Sequence, residues 1–476
     1  MKWMRDLTLP LLLLYCCDLP TPGGPSSWIS GIQADDSPNE VTYNVKVDLS
    51  ASVHEIGGRF LSMSFPAKYI PVQWYVQYCW TEKLQNLASA LSPADIRVLG
   101  KFQHFCPDQN VEPSKIQGRS PNAGAPQDPC KNKEVGSDFV LRGNQWQIFN
   151  ANVAKVGWSL LLGFENTKRK ADGSWDSSLA ELLLNYSSSK DIPIGYFHLG
   201  NEPNLYPVHI RLTITPKTLV EDYKTLRRLV AKYSLYAASK LYGPDVTTLD
   251  KHSTARNYLT HYYCKNNASM EEFLNLSSLE SLRSSIEIGK TLVQVTTNPL
   301  PLILSETSSC AGGGAPNLSG RYLAGFLWLD KLGLSAVYGV KQVFRQSFFS
   351  GAAYSLVLIS DTTPQPDYYL SVLYKRLVEG PVFRVNLNPS NQKLRVYANC
   401  AKQGKYTPGD LVIYYLNLEE IPAILSLDQF QDADLDLYML TPGDSEGIKS
   451  REVKLRGNPR VAAQSFFFPL FFPGFF

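Results

Sequence analysis

The amino-acid sequence predicts an α/β protein in which a (β/α)8 TIM barrel is joined to a β-sandwich. Between residues 58 and 365, β-rich apolar runs alternate with helical patterns, as in parallel strands connected by helices. Two of these runs end in a carboxylate, and a barrel places its active site at the C-terminal ends of its strands. After residue 366 the pattern changes to short period-two strands separated by turn residues, which indicates a sandwich.

The barrel prediction depends on eight strand candidates in sequence order. They are residues 59–65, 95–99, 157–164, 194–199, 240–242, 260–263, 301–304 and 340–344. Helices are expected at 81–90 and 218–236, where apolar residues recur at helical spacing, and at 323–332, where apolar content is nearly continuous. The two carboxylates then follow strands four and seven.

The sandwich is assigned to residues 366–460, with strands at 393–399, 410–417 and 436–440. The alternating segment 41–49 is expected to join the same sheet, so that residues 40–57 supply an N-terminal strand of the sandwich. Nine of the last twelve residues, 465–476, are phenylalanine or proline. They are too few to cross a membrane, and we interpret them as an aberrant, exposed end.

The N-terminus has the pattern of a secretory signal. Lys2 and Arg5 precede an apolar run at 7–17 that is too short to span a bilayer, so residues 1–26 are predicted to be a signal peptide. Four sequons support a secreted glycoprotein: Asn185, Asn267, Asn275 and Asn317. No transmembrane span is expected. The net charge of +3 is small, so any anion site must be local and no nucleic-acid partner is expected.

Six cysteines remain after the predicted cleavage, and they are scattered without a CxxC pair. A zinc site is therefore not expected, and no other metal or cofactor is implied. Cys106 and Cys130 could bridge the polar, proline-rich insert 107–136 that lies between strands two and three, or could remain unpaired. The insert itself is either a linker or a lid.

The two carboxylates lie in short motifs. Glu202 belongs to Leu-Gly-Asn-Glu-Pro-Asn at 199–204, and Glu306 belongs to Leu-Ser-Glu-Thr-Ser-Ser at 304–309. They are 104 residues apart (306 − 202), with about three strand–helix units between them. Two facing carboxylates are the minimum equipment for cleaving a glycosidic bond. The alternative is a pair of ordinary surface glutamates.

These motifs and their flanks resemble the heparanase family, endo-β-glucuronidases that act on heparan sulfate. The second motif continues through Gly-Gly-Gly-Ala-Pro at 312–316 to Ala-Gly-Phe-Leu-Trp-Leu-Asp-Lys-Leu-Gly at 324–333. Further matching segments are 200–204, 241–245, 345–346, 366–370 and 394–397. The similarity extends from about residue 58 to about residue 458 and is densest in the second half of the chain.

The resemblance implies a retaining mechanism with Glu306 as nucleophile and Glu202 as acid/base. Asn201 would donate to the sugar 2-hydroxyl, although it could be only a turn residue before Pro203. Tyr262 would hydrogen-bond the nucleophile, with a structural core tyrosine as the alternative. The remaining substrate contacts implied are Gly312 and Gly313, which would bind the uronic acid carboxylate, and Gln346 and Tyr354.

A sulfated polysaccharide requires cations on the catalytic face. Lys168, Arg169 and Lys170 follow strand three, and Lys251 and Arg256 follow strand five. Both loops belong to the catalytic end of a barrel. Three consecutive cations could equally be a solvated loop.

The resemblance also implies heparan sulfate proteoglycans as partners and a secreted, extracellular-matrix or lysosomal location, with cell-surface association through the proteoglycans. The family loses a linker between the same two strands. Excision of 107–136 would leave a heterodimer of two fragments of this chain, whereas an intact surface loop is the alternative.

Several positions depart from the family pattern. Pro66, Val208, Thr260 and Ala311 stand where the family has an aspartate, a lysine, a histidine and a tyrosine. Only fourteen residues separate Asp245 from Thr260 (260 − 245 − 1), roughly half the family's spacing. Two further hypotheses therefore remain beside the enzyme: a heparan-sulfate-binding protein with little or no catalysis, and a barrel glycosidase for a neutral β-linked glycan.

Overall fold

The computed structural model describes residues 11–17, 41–70, 80–100, 104–107, 140–247, 258–264, 268–294, 300–419, 423–431 and 433–462. Nearly all of the polar insert, the aromatic tail and most of the predicted signal peptide lie outside these residues. So do Cys130, Lys251, Arg256 and Asn267.

Eight parallel strands form the sheet of the predicted barrel. Numbered 1 to 8 along the chain, they are Leu61–Pro66, Ala94–Gly100, Trp158–Phe164, Tyr196–Leu199, Lys240–Tyr242, Tyr258–Tyr262, Leu302–Thr307 and Gln342–Arg345. Their spatial order is 5-4-3-2-1-8-7-6, and each neighbouring pair is parallel. Each lies within a few residues of its predicted position, which confirms the (β/α)8 architecture.

The sheet has a seam between strands 5 and 6. No ladder joins these two strands within the described part of the chain. Among the described residues, one backbone hydrogen bond crosses the seam, from the His261 N–H to the Val246 carbonyl at 2.8 Å. The seam coincides with the short connection that the sequence shows between Asp245 and Thr260.

The helices follow the barrel strands along the chain. They are Glu82–Ser89, Gly143–Lys155, Ser178–Ser189, Tyr206–His209, Pro216–Val230, Met270–Phe273, Leu276–Gln294, Ala324–Val337 and Pro366–Leu377. Glu82–Ser89 begins where Thr81 caps it, because the Thr81 hydroxyl accepts a hydrogen bond from the Leu84 N–H.

The last of these helices corrects the predicted start of the sandwich at residue 366. Pro366 occupies the first turn of a helix, where its missing N–H costs nothing. Buried Leu370, Leu373 and Leu377 follow at helical spacing, and Ser371 accepts a hydrogen bond from Trp328 of the preceding helix. Residues 366–377 therefore belong to the barrel, and the C-terminal strands of the sandwich begin at Val378.

In the part of the chain that the structure describes, the sandwich contains nine strands in one connected sheet. They are Leu11–Cys17, Val41–Asp48, His54–Ile56, Val378–Asn388, Leu394–Ala401, Leu411–Asn417, Ala423–Ser426, Asp434–Pro442 and Val453–Ala462. Val41–Asp48 lies between Val378–Asn388 and Ala423–Ser426, so the N-terminal segment joins this sheet. Val45 and Ile413, from strands that two others separate in the sheet, belong to one apolar core.

One strand comes from the residues predicted to be a signal peptide. Leu11–Cys17 pairs antiparallel with both Leu411–Asn417 and Asp434–Pro442. In the uncleaved chain this apolar segment thus fills a place within the sheet. The signal peptide stays a prediction, and its removal would separate the two flanking strands. No helix in the described ranges combines the length and apolar character needed to cross a membrane.

Candidate active site

Strand 4 ends in a tight turn that presents Glu202 at the mouth of the barrel. Gly200 has φ of 76°, and a Cβ there would approach the Asn166 Oδ1 to 2.7 Å, so only glycine fits. Glu202 itself adopts a left-handed conformation with φ of 55°. Its N–H donates to the Asp245 carbonyl at 2.9 Å, which helps to hold this uncommon backbone in place.

Strand 7 presents Glu306 through a β-bulge. Thr260 pairs with Leu304, whereas the next residue, His261, pairs with Glu306. Ser305 is thus the extra residue, and the register against strand 8 shifts over the same interval. A bulge changes the direction of side chains locally. As a result both Ser305 and Glu306 reach the interior, and the Ser305 hydroxyl donates to the Asp245 Oδ1 at 2.6 Å.

Glu306 is buried, with 8% of its surface exposed, and its two oxygens have different donors. The Tyr263 hydroxyl donates to Oε1 at 2.7 Å, and the Arg97 Nη1 donates to Oε2 at 2.9 Å. The His261 Nε2 lies 3.8 Å from Oε2. These donors favour an ionised carboxylate whose orientation is fixed.

Asp245 and Arg97 form the centre of the buried charge network. Arg97 donates to the Asp245 Oδ2 at 2.5 Å and to the Asn201 Oδ1 at 2.9 Å, in addition to Glu306. The His261 Nε2 donates to the Asp245 Oδ1 at 3.0 Å. The side chains of Arg97 and Asp245 are fully buried, so each charge depends on its partners.

Glu202 is more exposed than Glu306 and lies close to it. Its side chain is 28% exposed, and its Oε1 lies 2.8 Å from the His261 Nδ1. One oxygen of Glu202 and one of Glu306 are within 4.8 Å of each other. This is near the separation of about 5–5.5 Å that is characteristic of retaining glycosidases.

The network changes the acidity of its members. Burial alone would lower the pKa of His261, but Glu306 and Asp245 more than offset this and raise that pKa to about 10. Burial alone would raise the pKa of Glu306, yet His261, Arg97 and Tyr263 together lower it below its usual value. The site at neutral pH thus holds an imidazolium beside an ionised Glu306.

These shifts define the pH range in which the network stabilises the fold. Because the pKa of His261 is raised, its contribution is complete below about pH 6.5 and is lost as pH rises through about 10. Because the pKa of Glu306 is lowered, its contribution is complete above about pH 4.5 and is lost as pH falls through the folded-state value. Both contributions are complete together in mildly acidic solution.

Glu202, His261 and Glu306 are near enough to one another to offer ligand atoms to a metal. Both nitrogens of His261 already face carboxylates, and a protonated imidazole has no lone pair for a metal. The guanidinium of Arg97 adds positive charge at Glu306. The chemistry of this donor set therefore opposes a divalent cation.

The structure corrects the predicted role of Tyr262. Its hydroxyl donates to the Ser278 carbonyl at 3.1 Å and contacts Ser281, both on the helix outside the barrel. The hydroxyl of Tyr263 contacts Glu306 instead. Successive strand residues point to opposite faces of the sheet. A prediction that is wrong by one position therefore places a side chain outside the barrel when it should be inside. The same shift of one position applies to the histidine of this strand. The side chain that reaches the site is His261, and not the residue at position 260, where the family histidine was expected.

This correction can be tested with two tyrosine variants. Tyr263→Phe is expected to lower kcat about 10- to 100-fold, because a hydrogen bond to a charged group contributes about 1.5–3 kcal/mol. The acidic limb of the kcat/KM profile should move to higher pH, since losing this donor raises the pKa of Glu306. The matched control, Tyr262→Phe, should leave kcat near wild type. If Tyr262→Phe lost more kcat than Tyr263→Phe, the assignment of Tyr263 as the hydrogen-bond donor to Glu306 would be wrong.

The other predicted substrate contacts lie around the same mouth. Gly312 and Gly313 have φ of 69° and 99°, and a Cβ on Gly312 would meet nothing within 4 Å. Among the described residues, no acceptor is found for either amide N–H. Tyr354 stacks on Tyr263 with ring centroids 6.2 Å apart, and Gln346 follows strand 8 directly.

The three predicted cations, Lys168, Arg169 and Lys170, have different environments in the structure. Arg169 forms a bidentate pair with Asp222, with N–O distances of 2.7 and 3.1 Å, and it also donates to the Gly173 carbonyl. It therefore holds its own loop in place and is not available to a ligand, which corrects the prediction for Arg169. Lys168 and Lys170 are exposed on that loop.

Three of the predicted glycosylation sites lie in described residues. Asn185, Asn275 and Asn317 are exposed, as an acceptor asparagine must be. Cys106 is disulfide-bonded. Because Cys130 lies outside the described residues, the pairing of these two cysteines stays a prediction.

Sequence reasoning missed four residues of the site: Arg97, Asp245, His261 and Tyr263. Arg97 was a single cation inside an apolar strand, and a charge at such a position is almost never fully buried without a partner. That signal could have identified it. Tyr263 and His261 could have been found only with the register of strand 6.

Comparisons with known proteins agree with this geometry. Residues 130–252 match the family model described as "Glycosyl hydrolase family 79, N-terminal domain". The heparanase of Bos taurus is 33% identical over 452 residues, covering 85% of this chain and 82% of that protein. "Inactive heparanase-2" of Homo sapiens is 28% identical, covering 86% of this chain and 81% of its own length.

The solved structure of the GH51 arabinofuranosidase from Xanthomonas axonopodis pv. citri has a TM-score of 0.61. It is 12% identical, and the match covers 89% of this chain and 96% of that one, so it supports the fold alone. The arrangement of Glu202 and Glu306, together with the extent and identity of the match to the bovine protein, establishes that the chain belongs to the heparanase family.

Proposed function

We propose that this protein is a retaining endo-β-glucuronidase that hydrolyses internal glycosidic bonds of heparan sulfate chains on proteoglycans. The observation that carries the proposal is the unequal environment of two neighbouring carboxylates. Glu306 is held ionised by Arg97 and Tyr263, whereas the more exposed Glu202 lies within 4.8 Å of it. Unequal environments are what assign the two roles in such a pair.

In this mechanism Glu306 attacks the anomeric carbon as Glu202 donates a proton to the leaving oxygen. The glycosidic bond breaks, and a glycosyl ester forms on Glu306. Glu202, now ionised, takes a proton from water, which attacks the ester carbon and releases Glu306. Tyr263 and Arg97 keep the nucleophile oriented through both steps, which reduces the entropy cost of reaching the transition state.

Asn201 is suited to bind the sugar 2-hydroxyl. Its Oδ1 accepts from Arg97, so the orientation of the amide is fixed. No acceptor for its Nδ2 is found among the described residues, which leaves two donors for a ligand. A bond from this amide to the 2-hydroxyl would strengthen as the oxocarbenium ion develops.

The uronic acid carboxylate is expected at the glycine-rich turn after strand 7. Gly312 is exposed and Gly313 is half-exposed, and successive backbone N–H groups favour an anion. Tyr354 and Gln346 would line the same subsite.

The exposed lysines after strand 3 are expected to attract the sulfated chain. Changing Lys168 and Lys170 together to Gln should raise KM for heparan sulfate, and the effect should shrink at high salt because exposed charges are screened within about 8–10 Å. The measurement is a salt titration of KM. Lys224→Gln is the matched control, since that exposed lysine pairs with Glu221 on a helix surface. Parallel titrations for wild type and the double variant would contradict the assignment.

The insert is compatible with excision. Its ends are held together, because His104–Cys106 and Val140–Arg142 form a two-stranded parallel sheet. After excision, strands 1 and 2 would remain between strands 3 and 8 of the barrel, so the fragments would stay associated as a heterodimer. A secreted or lysosomal location, with cell-surface association through proteoglycans, completes the proposal.

The test is to incubate the purified protein with heparan sulfate and to measure product size by gel filtration. Internal cleavage gives an early, large fall in chain length, and hyaluronan serves as an unsulfated control polymer. NMR of the new reducing end should show the β anomer first if configuration is retained. Binding without any fall in chain length would favour the non-catalytic alternative.

A further inference from the structure

Two cysteines lie side by side immediately beyond the catalytic residues. Cys264 directly follows Tyr263, and Cys310 lies four positions after Glu306. Their sulfurs are 3.7 Å apart. The Cys264 thiol donates to the Ser309 carbonyl at 2.8 Å, and its backbone N–H reaches the same carbonyl at 3.3 Å. The segments after strands 6 and 7 are therefore aligned at this point.

The two thiols differ in access. Cys310 is buried, whereas Cys264 is partly exposed. Forming a bond of about 2.05 Å requires the sulfurs to approach by about 1.7 Å, a distance within reach of side-chain rotation. Cys106 is already disulfide-bonded, which is consistent with a chain that matures where disulfides form.

We propose that Cys264 and Cys310 form a disulfide in the mature protein, and that this cross-link fixes strand 6 to strand 7 beside the active site. Strand 6 needs such a restraint, because within the described residues it pairs with strand 7 on one side and borders the seam on the other. The cross-link would anchor the residue that follows Tyr263 to the loop that follows Glu306.

The chemistry is a thiol–disulfide exchange with a small-molecule or enzyme disulfide as oxidant. The Cys264 thiolate attacks the oxidant and forms a mixed disulfide, releasing one thiolate. Cys310 then loses its proton and attacks the Cys264 sulfur, which releases the second thiolate. Two protein thiols are oxidised and one disulfide is reduced to two thiols, so electrons and protons balance. The hydrogen bond with Cys264 and burial raise the pKa of Cys310, which favours Cys264 as the first attacking group.

The test uses the full-length chain secreted from eukaryotic cells, with oxidised glutathione present during purification. Unreacted thiols are blocked after denaturation without reductant, and proteolytic peptides are analysed by mass spectrometry. A peptide pair joining Cys264 to Cys310 is expected, with a mass lower by two hydrogens than the reduced pair. Cys400, a thiol in the sandwich, should be recovered alkylated and serves as the internal control.

Thermal unfolding gives a second measurement. Oxidised wild type should melt on the order of 5 °C above Cys264→Ala. Cys310→Ala and the double variant should melt near the single Cys264→Ala variant, because each change removes the same bond. In a Cys400→Ala background, the melting temperature should still fall by a similar amount when Cys264 is changed to Ala. Recovery of both Cys264 and Cys310 in alkylated form, with additive effects of the two alanine variants, would overturn the proposal. Neither measurement depends on glycosidase activity, so this failure is distinct from failure of the proposed function.

Discussion

Replacing Glu306 with glutamine is expected to reduce kcat by at least about 10⁴-fold, because the variant cannot form the glycosyl ester. The amide keeps the volume of the carboxylate and can still accept from Tyr263. Binding of a heparan sulfate oligosaccharide should therefore change little. Single-turnover kinetics and a calorimetric titration would measure the two effects separately.

A second variant distinguishes the roles of the two carboxylates. Glu202→Gln should also lose turnover of the polysaccharide, but it should retain rapid ester formation from an aryl glucuronide whose leaving group needs no proton. Glu306→Gln should fail with both substrates. Glu181→Gln, a surface change at an exposed ion pair with Lys232, is the matched control and should be silent. If Glu306→Gln kept wild-type turnover, the nucleophile would have to be another residue.

Removing Arg97 is expected to have the largest effect on stability. Arg97→Met keeps much of the side-chain volume but leaves Asp245 and Glu306 without their shared cation. Breaking a buried ion pair by removing one partner costs about 3–5 kcal/mol. The midpoint of urea unfolding should fall accordingly, and activity should be lost even where the variant is folded.

Arg321→Met is the matched control for this experiment. Arg321 pairs with Glu446 at 3.2 Å, but the carboxylate is 61% exposed. A pair of this kind contributes about 0–1 kcal/mol. Equal losses for the two variants would show that the Arg97 network is no more important to the fold than a surface contact.

The sequence was sufficient for the barrel because its strands are short, apolar and separated by helical patterns. Strand 3, for example, was predicted at 157–164 and occurs at Trp158–Phe164. It was not sufficient for Pro366–Leu377, since a helix that closes a barrel and a strand that opens a sandwich both follow a turn signal. Leu11–Cys17 shows the same limit, because an apolar run fits either a signal peptide or a strand.

Within the site, the motif residues Glu202 and Glu306 were predictable because each follows a strand end. Their supporting groups were not. Arg97 reaches three carboxylate or amide partners from strand 2, and Asp245 reaches the centre from the end of strand 5. Such contacts depend on which strands are neighbours across the barrel. The bulge at Ser305 also changes the register between strands 6 and 7, and no local sequence pattern predicts that change.

The seam between strands 5 and 6 has a consequence for choosing an inactive form for crystallography. Asp245 lies on one side of this seam and His261 on the other, and their contact is among the few bonds that cross it. The charged side chains of Asp245 and His261 thus connect strands 5 and 6 where backbone hydrogen bonds of a ladder are missing. Variants at either position would loosen the wall as well as stop the chemistry. A substrate-trapping variant is therefore better made as Glu202→Gln, because this side chain is partly exposed and its amide oxygen can still accept a hydrogen bond from the His261 Nδ1.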